Sequence, residues 1–207
     1  MFITLEGIEG SGKSTQLRKL AERIPNALAT KEPGGTPTAD RIRAILLDTR
    51  ATIDPVAELF LFAASRRQHV MEVIRPALAA GRVVLCDRFT DATLAYQGFG
   101  RRLDLDRLRW LNDWATDSLR PVLTLIFDLP EEVGLQRARS RNSSAPVDEG
   151  RFEQEDLRFH RRVREGYLTL AASEPDRYAV IDAAGTPDEV LERTLDVLRK
   201  RAPQVLP

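Results

Sequence analysis

The feature that most constrains this chain is a glycine-rich segment close to its first residue. Residues 7–14 read Gly-Ile-Glu-Gly-Ser-Gly-Lys-Ser and match the spacing G-x-x-x-x-G-K-[ST]. An apolar run at residues 2–5 precedes the segment, and Leu17 and Leu20 follow it at helical spacing. The pattern predicts a buried strand, a tight turn and a helix, so that backbone N–H groups and the helix N-terminus face an anion.

The residue types in this turn suit a nucleoside triphosphate and a divalent metal ion. Lys13 can reach the β- and γ-phosphates, and the Ser14 hydroxyl can bind Mg²⁺, so ATP and Mg²⁺ are the expected cofactors. The predicted nucleotide-binding residues are Gly7, Ile8, Glu9, Gly10, Ser11, Gly12, Lys13, Ser14 and Thr15. The alternative is a glycine-rich turn with a solvated lysine, which the preceding strand and following helix argue against.

Continuous apolar runs alternate with helical patterns along the rest of the chain. The runs cover residues 27–30, 83–86, 122–127 and 178–181, and residues 38–48 and 55–80 have helical spacing, the second as one long helix or two. Such runs indicate strands covered on both faces. We therefore predict an α/β, three-layer P-loop NTPase-type fold with a parallel sheet of about five strands flanked by helices. The 207 residues fit a single domain, with a mobile lid at about residues 137–153.

Composition excludes several other classes of function. Lys+Arg and Asp+Glu both total 31, and this balance argues against nonspecific nucleic-acid binding. Cys86 is the single cysteine and His69 and His160 are the two histidines, which argues against internal disulfides and zinc sites. No apolar run approaches the roughly 18 residues needed to cross a bilayer. The expected partner is a small molecule, and the expected location is the cytoplasm.

Asp87 and Arg88 follow the apolar run at residues 83–86. An aspartate at the end of such a strand supports the magnesium ion in P-loop enzymes. The alternative is a helix N-cap, and Asp128 and Asp182 also end strands, so position alone does not single out Asp87. The neighbouring Arg88 favours Asp87, because a metal-side carboxylate beside a phosphate-binding guanidinium suits phosphoryl transfer.

Four further segments resemble the thymidylate kinase family and occur in the family's order. They are Glu-Pro-Gly-Gly-Thr at residues 32–36, Leu-Phe-Ala-Ala-Ser-Arg at 61–66, Asp-Arg-Phe at 87–89 leading into Ala-Tyr-Gln-Gly at 95–98, and the arginine-rich stretch 137–151. The GTPase motif N-K-x-D is not found. The resemblance implies transfer of the γ-phosphoryl group of ATP to dTMP, giving dTDP and ADP in dTTP biosynthesis, by a homodimer.

The resemblance also implies which residues bind the thymine base. Phe62 matches the phenylalanine that stacks on the base, and Arg66 matches the arginine that binds a thymine carbonyl. Thr93 and Gln97 match side chains near the base. A core phenylalanine and a surface arginine are the alternatives for Phe62 and Arg66.

Four residues match family positions at the phosphate and the sugar. Arg43 matches the arginine that holds the dTMP phosphate, and Arg88 matches the one that bridges donor and acceptor phosphates. Glu9 matches the acidic residue at the 3′-hydroxyl, and Tyr96 matches the residue that crowds the 2′ position. A solvated helix arginine is an equally good reading of Arg43, and an ordinary half-buried tyrosine is the alternative for Tyr96.

Catalysis by this class needs a further cation on the transferred phosphoryl group. The P-loop has no arginine, so a lid arginine is expected to provide it. The candidates are Arg137, Arg139, Arg141 and Arg151. Arg151 aligns best with the family's R-[IF]-E element, although Gly150 replaces the usual preceding aspartate. The predicted catalytic set is Glu9, Lys13, Arg88 and Arg151, and a solvated helix face is the alternative for Arg137 and Arg141.

Two other functions remain open at this stage. One is a kinase for another acceptor, such as UMP, CMP, AMP or a nonphosphorylated metabolite. The other is a noncatalytic nucleotide-binding switch or assembly subunit. Helices near 57–70 and 107–120 carry apolar residues that suit either the family's dimer face or ordinary core packing. Those residues are Leu59, Leu61, Leu108, Trp110, Leu111 and Trp114.

Overall fold

The computed structural model describes residues 1–142 and 150–207, with the backbone alone at 141 and 142. Within this part the chain forms a five-stranded parallel sheet in the order β2-β3-β1-β4-β5. The strands are β1 (Phe2–Glu6), β2 (Ala27–Lys31), β3 (Val83–Asp87), β4 (Leu123–Asp128) and β5 (Tyr178–Asp182). The predicted fold class is confirmed, because all five predicted strands form and pair in parallel.

Helices cover both faces of the sheet. They are α1 (Lys13–Arg23), α2 (Pro37–Leu47), α3 (Pro55–His69), α4 (Arg75–Ala79), α5 (Thr90–Thr93), α6 (Leu105–Thr116), α7 (Glu131–Asn142), α8 (Leu157–Ser173) and α9 (Pro187–Arg201). Short 3₁₀ turns lie at Phe152–Gln154 and Pro203–Val205. Several helices begin at an N-cap; Thr36 accepts from the backbone of Ala39, and Thr186 forms a capping box with Glu189.

Alternate residues of the strands pack into separate hydrophobic clusters. In β4, Leu125 packs with residues of α1 and α9, whereas Ile126 packs with residues of α3, α6 and α8. Both residues are almost completely buried. The central strands β1, β3 and β4 are buried on both faces, which explains their mostly apolar sequences, whereas the edge strands β2 and β5 are partly exposed.

The predicted helix at residues 55–80 is one continuous helical stretch with an irregular middle. Between α3 and α4 the residues Val70–Ile74 form a π-helical segment. Pro76 lies in the next turn, where it has no N–H and its ring would clash with the carbonyl four residues earlier in an α-helix. The wider turn accommodates the proline. A second π-helical segment, Leu94–Gly100, continues α5 and was not predicted.

The carboxyl ends of the central strands bring the predicted site together. Leu5 of β1 pairs with Asp87 of β3, and the backbone of Arg88 donates to the Leu5 carbonyl at 2.9 Å. The glycine-rich segment after β1 therefore lies beside the Asp-Arg pair after β3. Ligands of open α/β sheets bind in the crevice outside these strand ends. No described helix is both long enough and apolar enough to cross a membrane.

Candidate active site

The glycine-rich segment folds as the tight turn that its sequence predicts. Gly7, Gly10 and Gly12 have φ angles of 138°, 70° and 89°, which side-chain-bearing residues rarely adopt. A Cβ atom at Gly10 would lie 2.0 Å from the carbonyl oxygen of Gly134. All three glycines therefore suit the backbone conformation, and Gly10 is also required for the close approach of the turn to α7.

Lys13 begins helix α1 and is buried under this turn. Its Nζ donates to the Ile8 carbonyl at 2.7 Å and to Ser11 Oγ at 3.2 Å. Burial, followed by the nearby Arg88, lowers the pKa of Lys13 to about 8. A bound anion would favour the charged form of Lys13 and offset the repulsion from Arg88, so the site suits a negatively charged ligand.

A direct contact distinguishes Asp87 from the other aspartates that end strands. Ser14 Oγ donates to Asp87 Oδ2 at 2.5 Å, which places a hydroxyl and a carboxylate together at the turn. Asp128 instead pairs with Arg164 at 2.7 Å. An oxygen-only pair of this kind suits Mg²⁺, which takes few protein ligands when phosphates complete its coordination.

A cavity of about 560 Å³ opens from the glycine-rich turn, a size typical of small-molecule sites. The turn contributes Glu9, Gly10, Gly12, Lys13, Ser14 and Thr15, whereas Gly7, Ile8 and Ser11 shape the turn without lining the cavity. All residues that the resemblance places at the acceptor also line it: Glu9, Arg43, Phe62, Arg66, Arg88, Thr93, Tyr96 and Gln97. One cavity thus combines both predicted sets.

Glu9, Arg88 and Tyr96 form a hydrogen-bonded triangle at the centre of this cavity. Arg88 Nη2 donates to Glu9 Oε1 and to the Tyr96 hydroxyl oxygen, both at 2.9 Å, and the Tyr96 hydroxyl donates to Glu9 Oε1 at 2.6 Å. Burial alone would raise the pKa of Glu9, but Arg88 and then His160 hold it well below its usual range. Glu9 is therefore an ionised carboxylate that orients the guanidinium.

Arg66 is not the surface charge that the sequence left as an alternative, because only 2% of the residue is exposed. Its guanidinium donates to Glu32 Oε2 at 2.7 Å, to Thr93 Oγ1 at 2.9 Å and to the Phe89 carbonyl at 3.0 Å. It also donates to Asn112 Oδ1 at 2.6 Å. These contacts fix Arg66 and Thr93 at the cavity wall, one helical turn from the half-buried ring of Phe62.

Of the predicted lid arginines, those with a described side chain do not line this cavity. Arg151 is buried, and its Nη2 donates to Glu58 Oε2 at 2.6 Å while its Nε donates to the Leu46 carbonyl at 2.5 Å. Arg137 and Arg139 are exposed on α7. The side chain of Arg141 and residues 143–149 of the predicted lid lie outside the described residues. The catalytic assignment of Arg151 therefore stays a prediction.

The structure adds site residues that sequence reasoning missed. Glu58 is fully buried and contacts Gln97 as well as Arg151. His160 Nδ1 lies 3.4 Å from Glu9 Oε2, and Glu6 accepts the backbone N–H of Phe89 at 2.7 Å, next to Arg88. Their signal in the sequence is weak, because each stands alone in an ordinary helix or strand pattern.

Together the fold and the site define an ATP-dependent nucleoside monophosphate kinase of the P-loop class. The sequence model of the thymidylate kinase family matches residues 5–194. Thymidylate kinase of Syntrophotalea carbinolica is 58% identical over 198 residues, covering 93% of this chain and 92% of the relative. That of Nitratidesulfovibrio vulgaris is 55% identical over 206 residues, covering 96% of each chain.

A solved structure agrees with these sequence matches. The crystal structure of thymidylate kinase from Ehrlichia chaffeensis superposes with a TM-score of 0.76 at 35% sequence identity, covering 96% of this chain and 98% of the other. The chain belongs to the thymidylate kinase family.

Proposed function

We propose that this chain transfers the γ-phosphoryl group of ATP to dTMP, giving dTDP and ADP, in the cytoplasm. One observation carries the proposal: the residues expected to bind the acceptor line a single cavity that begins at the phosphate-binding turn. A noncatalytic nucleotide switch has no need for Arg43, Phe62, Arg66 and Arg88 around one space. Family membership favours thymine over other bases.

Ser14 and Asp87 are the residues that would hold Mg²⁺. Their side-chain oxygens lie 2.5 Å apart, and both groups are of the kind that Mg²⁺ prefers. In the described part of the chain, no group of three or more His, Cys, Asp or Glu side chains could hold a metal by itself. Phosphate oxygens would complete the coordination, and the ion would neutralise charge on the transferred group.

Charge neutralisation and positioning supply the catalysis. The acceptor phosphate of dTMP is itself anionic, so no strong general base is required. Lys13 is expected to bind the β- and γ-phosphates. Arg88, held by Glu9 and Tyr96, is expected to contact both donor and acceptor phosphates, and Arg43 on the cavity wall would hold the dTMP phosphate.

The remaining wall residues would select the nucleoside. Phe62 offers a ring face for stacking, and Arg66 and Thr93 offer polar atoms at fixed positions. The Tyr96 hydroxyl donates to Glu9, which fixes the ring at the cavity wall, where we expect it to crowd a ribose 2′-hydroxyl. The Glu9 carboxylate would accept a hydrogen bond from the 3′-hydroxyl.

Arg151 keeps a proposed role at the transferred phosphoryl group, subject to one condition. It must exchange Glu58 and the Leu46 carbonyl for the phosphoryl oxygens, because it does not line the cavity in this structure. Phe152 and Glu153, the next two residues, do line the cavity. The exchange therefore requires the side chain to turn toward a space that its neighbours already reach.

A panel of acceptors tests the proposed function. The purified protein is assayed with ATP, Mg²⁺ and each of dTMP, dUMP, dCMP, UMP, CMP and AMP, with ADP release followed in a coupled spectrophotometric assay. We expect dTMP to have the highest kcat/KM. A preference for UMP, CMP or AMP would replace dTMP by another acceptor, and transfer to none of them would favour a noncatalytic role.

We also propose that a second copy of this chain covers an apolar surface on α3 and α6. The surface consists of Phe60, Trp110 and Trp114, which are 59%, 64% and 70% exposed. Of the other residues expected there, Leu59, Leu108 and Leu111 pack in the core. Exposed tryptophans of this size are typical of protein interfaces.

A further inference from the structure

Glu58 is a buried carboxylate surrounded by hydrogen-bond donors. It lies in the first turn of α3 and is 0% exposed. Gln97 Nε2 donates to Oε1 at 2.8 Å, and Arg151 Nη2 donates to Oε2 at 2.6 Å. Arg101 adds contacts at 3.4 Å to Oε1 and 3.3 Å to Oε2. Both oxygens of Glu58 therefore accept from guanidinium N–H groups, so the carboxylate is paired within the protein as buried charges require.

The charge of Glu58 decides which way the Gln97 amide points. An ionised carboxylate only accepts hydrogen bonds, so the group that Gln97 turns toward Glu58 has to be its NH₂. The amide is planar, and its Oε1 therefore points away from Glu58. Gln97 lines the cavity one helical turn beyond Thr93. Because its NH₂ group is used by Glu58, we expect the polar atom that it offers to a ligand to be the acceptor Oε1.

We propose that Glu58 is a specificity-determining positioning residue that fixes the Gln97 amide with its oxygen toward the nucleobase. Such an acceptor favours a base edge that carries an N–H donor, as N3 of thymine and uracil does. It disfavours cytosine, whose N3 is itself an acceptor, because two acceptors would then face each other away from water. This inference rests on the proposed binding of a pyrimidine monophosphate in the cavity.

Glu58→Gln tests the proposal because an amide at position 58 can donate as well as accept. The Gln97 amide is then free to turn over and present its NH₂ to the cavity. The assay measures the inhibition constants of dUMP and dCMP as competitors of dTMP phosphorylation. dUMP is the matched ligand, since it shares N3–H with thymine and lacks only the 5-methyl group.

We expect the ratio of the dCMP constant to the dUMP constant to fall by about tenfold or more in Glu58→Gln. A loss of packing that weakens all nucleotides alike leaves this ratio unchanged. Glu155→Gln is the control, because Glu155 Oε1 pairs with Arg101 Nη1 at 2.5 Å without contacting Gln97. It is expected to keep the ratio within about twofold of that of the unmodified enzyme.

A folded Glu58→Gln enzyme with an unchanged ratio would overturn the proposal. If that variant does not fold, as judged by circular dichroism, Gln97→Met serves instead, because it keeps the length of the side chain and removes the oxygen. An unchanged ratio there would equally overturn it. If the unmodified enzyme did not phosphorylate dTMP, the proposed function itself would be wrong. That result is distinct from a change in selectivity that occurs only in Glu58→Gln.

Discussion

Single residues in this site are held in conformations that their neighbours impose. Arg88 is not glycine, yet its φ angle is 71°, in the left-handed region. Two contacts hold the backbone there: Cys86 Sγ donates to the Arg88 carbonyl, and Glu6 accepts the next N–H, that of Phe89. Strained residues fixed by their surroundings concentrate at functional sites, where the strain positions a side chain. Here it directs the guanidinium toward Glu9 and the phosphate-binding turn.

Replacement of either central cation should abolish most of the activity. Lys13→Ala and Arg88→Ala each remove a charge that stabilises the transferred phosphoryl group, so we expect kcat to fall by about 10²-fold or more. Steady-state kinetics with dTMP and ATP measure the change. Lys19→Ala is the matched control, since Lys19 pairs with Asp188 on the surface and should retain nearly full activity. Near-normal turnover of a folded Lys13→Ala or Arg88→Ala enzyme would contradict these roles.

The role of Arg151 can be separated from its contact with Glu58 by kinetics. If Arg151 binds the phosphoryl group in the transition state, Arg151→Ala lowers kcat far more than it raises the KM for dTMP. If Arg151 only supports Glu58, the KM for dTMP changes and kcat is largely retained. Arg137→Ala is measured beside it, because Arg137 is the exposed alternative on α7. A large loss of kcat in Arg137→Ala alone would transfer the role to that residue.

The sequence predicted the residues that line the cavity better than those that support them. Lys13 stands in a motif whose spacing has a direct chemical reason, and Phe62 and Arg66 stand in a segment that resembles the thymidylate kinase family. Glu58 does not, because an acidic residue in the first turn of a helix is ordinarily an exposed group facing the helix dipole. Its partners come from residues 97, 101 and 151, and only the folded chain brings them together. Contacts between residues so far apart in the sequence produce no local motif, so they could not be predicted.

At the scale of helices and strands, burial and packing explain why the strands could be predicted from the sequence and why one π-helical segment could not. The central strands are mostly apolar because helices cover both faces, and the edge strands, although partly exposed, are still apolar enough that all five strands could be found. The π-helical segment Leu94–Gly100 could not, because its sequence fits an ordinary helix and its register depends on packing against α8. That segment carries Tyr96 and Gln97, so the orientation of these two side chains could not be predicted either.

The strand β1 carries a buried acid that should make stability depend on pH. Burial, followed by the nearby Asp91, raises the pKa of Glu6 to about 8. In the unfolded chain a glutamate titrates near about 4.3. Between these values the folded protein binds the additional proton, so its stability falls as the pH rises from 5 to 8.

Urea unfolding at pH 5 and at pH 8 measures this loss. Glu6→Gln has no proton to release, so its free energy of unfolding should fall less over the same range. Glu192→Gln, which changes an exposed carboxylate on α9, should keep the slope of the unmodified protein. Equal slopes in all three proteins would show that Glu6 does not titrate in this window.

At the scale of the whole molecule, helix α3 lies between the cavity and the exposed apolar surface. Helix α3 carries Phe62 and Arg66 on the side that lines the cavity and Phe60 on its exposed side, and α3 also contacts α6. A second copy of the chain bound at this surface would therefore pack against the helix that positions the base. Dimer formation would restrict α3 and would be expected to lower the KM for dTMP.

A charge on this surface should separate the copies. The rings of Trp110 and Trp114 lie 5.3 Å apart, so a carboxylate at position 114 would lie beside an apolar ring in the buried interface. We expect light scattering to show a dimer for the unmodified protein and a monomer for Trp114→Asp, with a raised KM for dTMP. Val180→Lys, an exposed apolar position on the edge strand β5, should remain dimeric. A monomeric unmodified protein with full activity would mean that another partner, or none, covers the tryptophans.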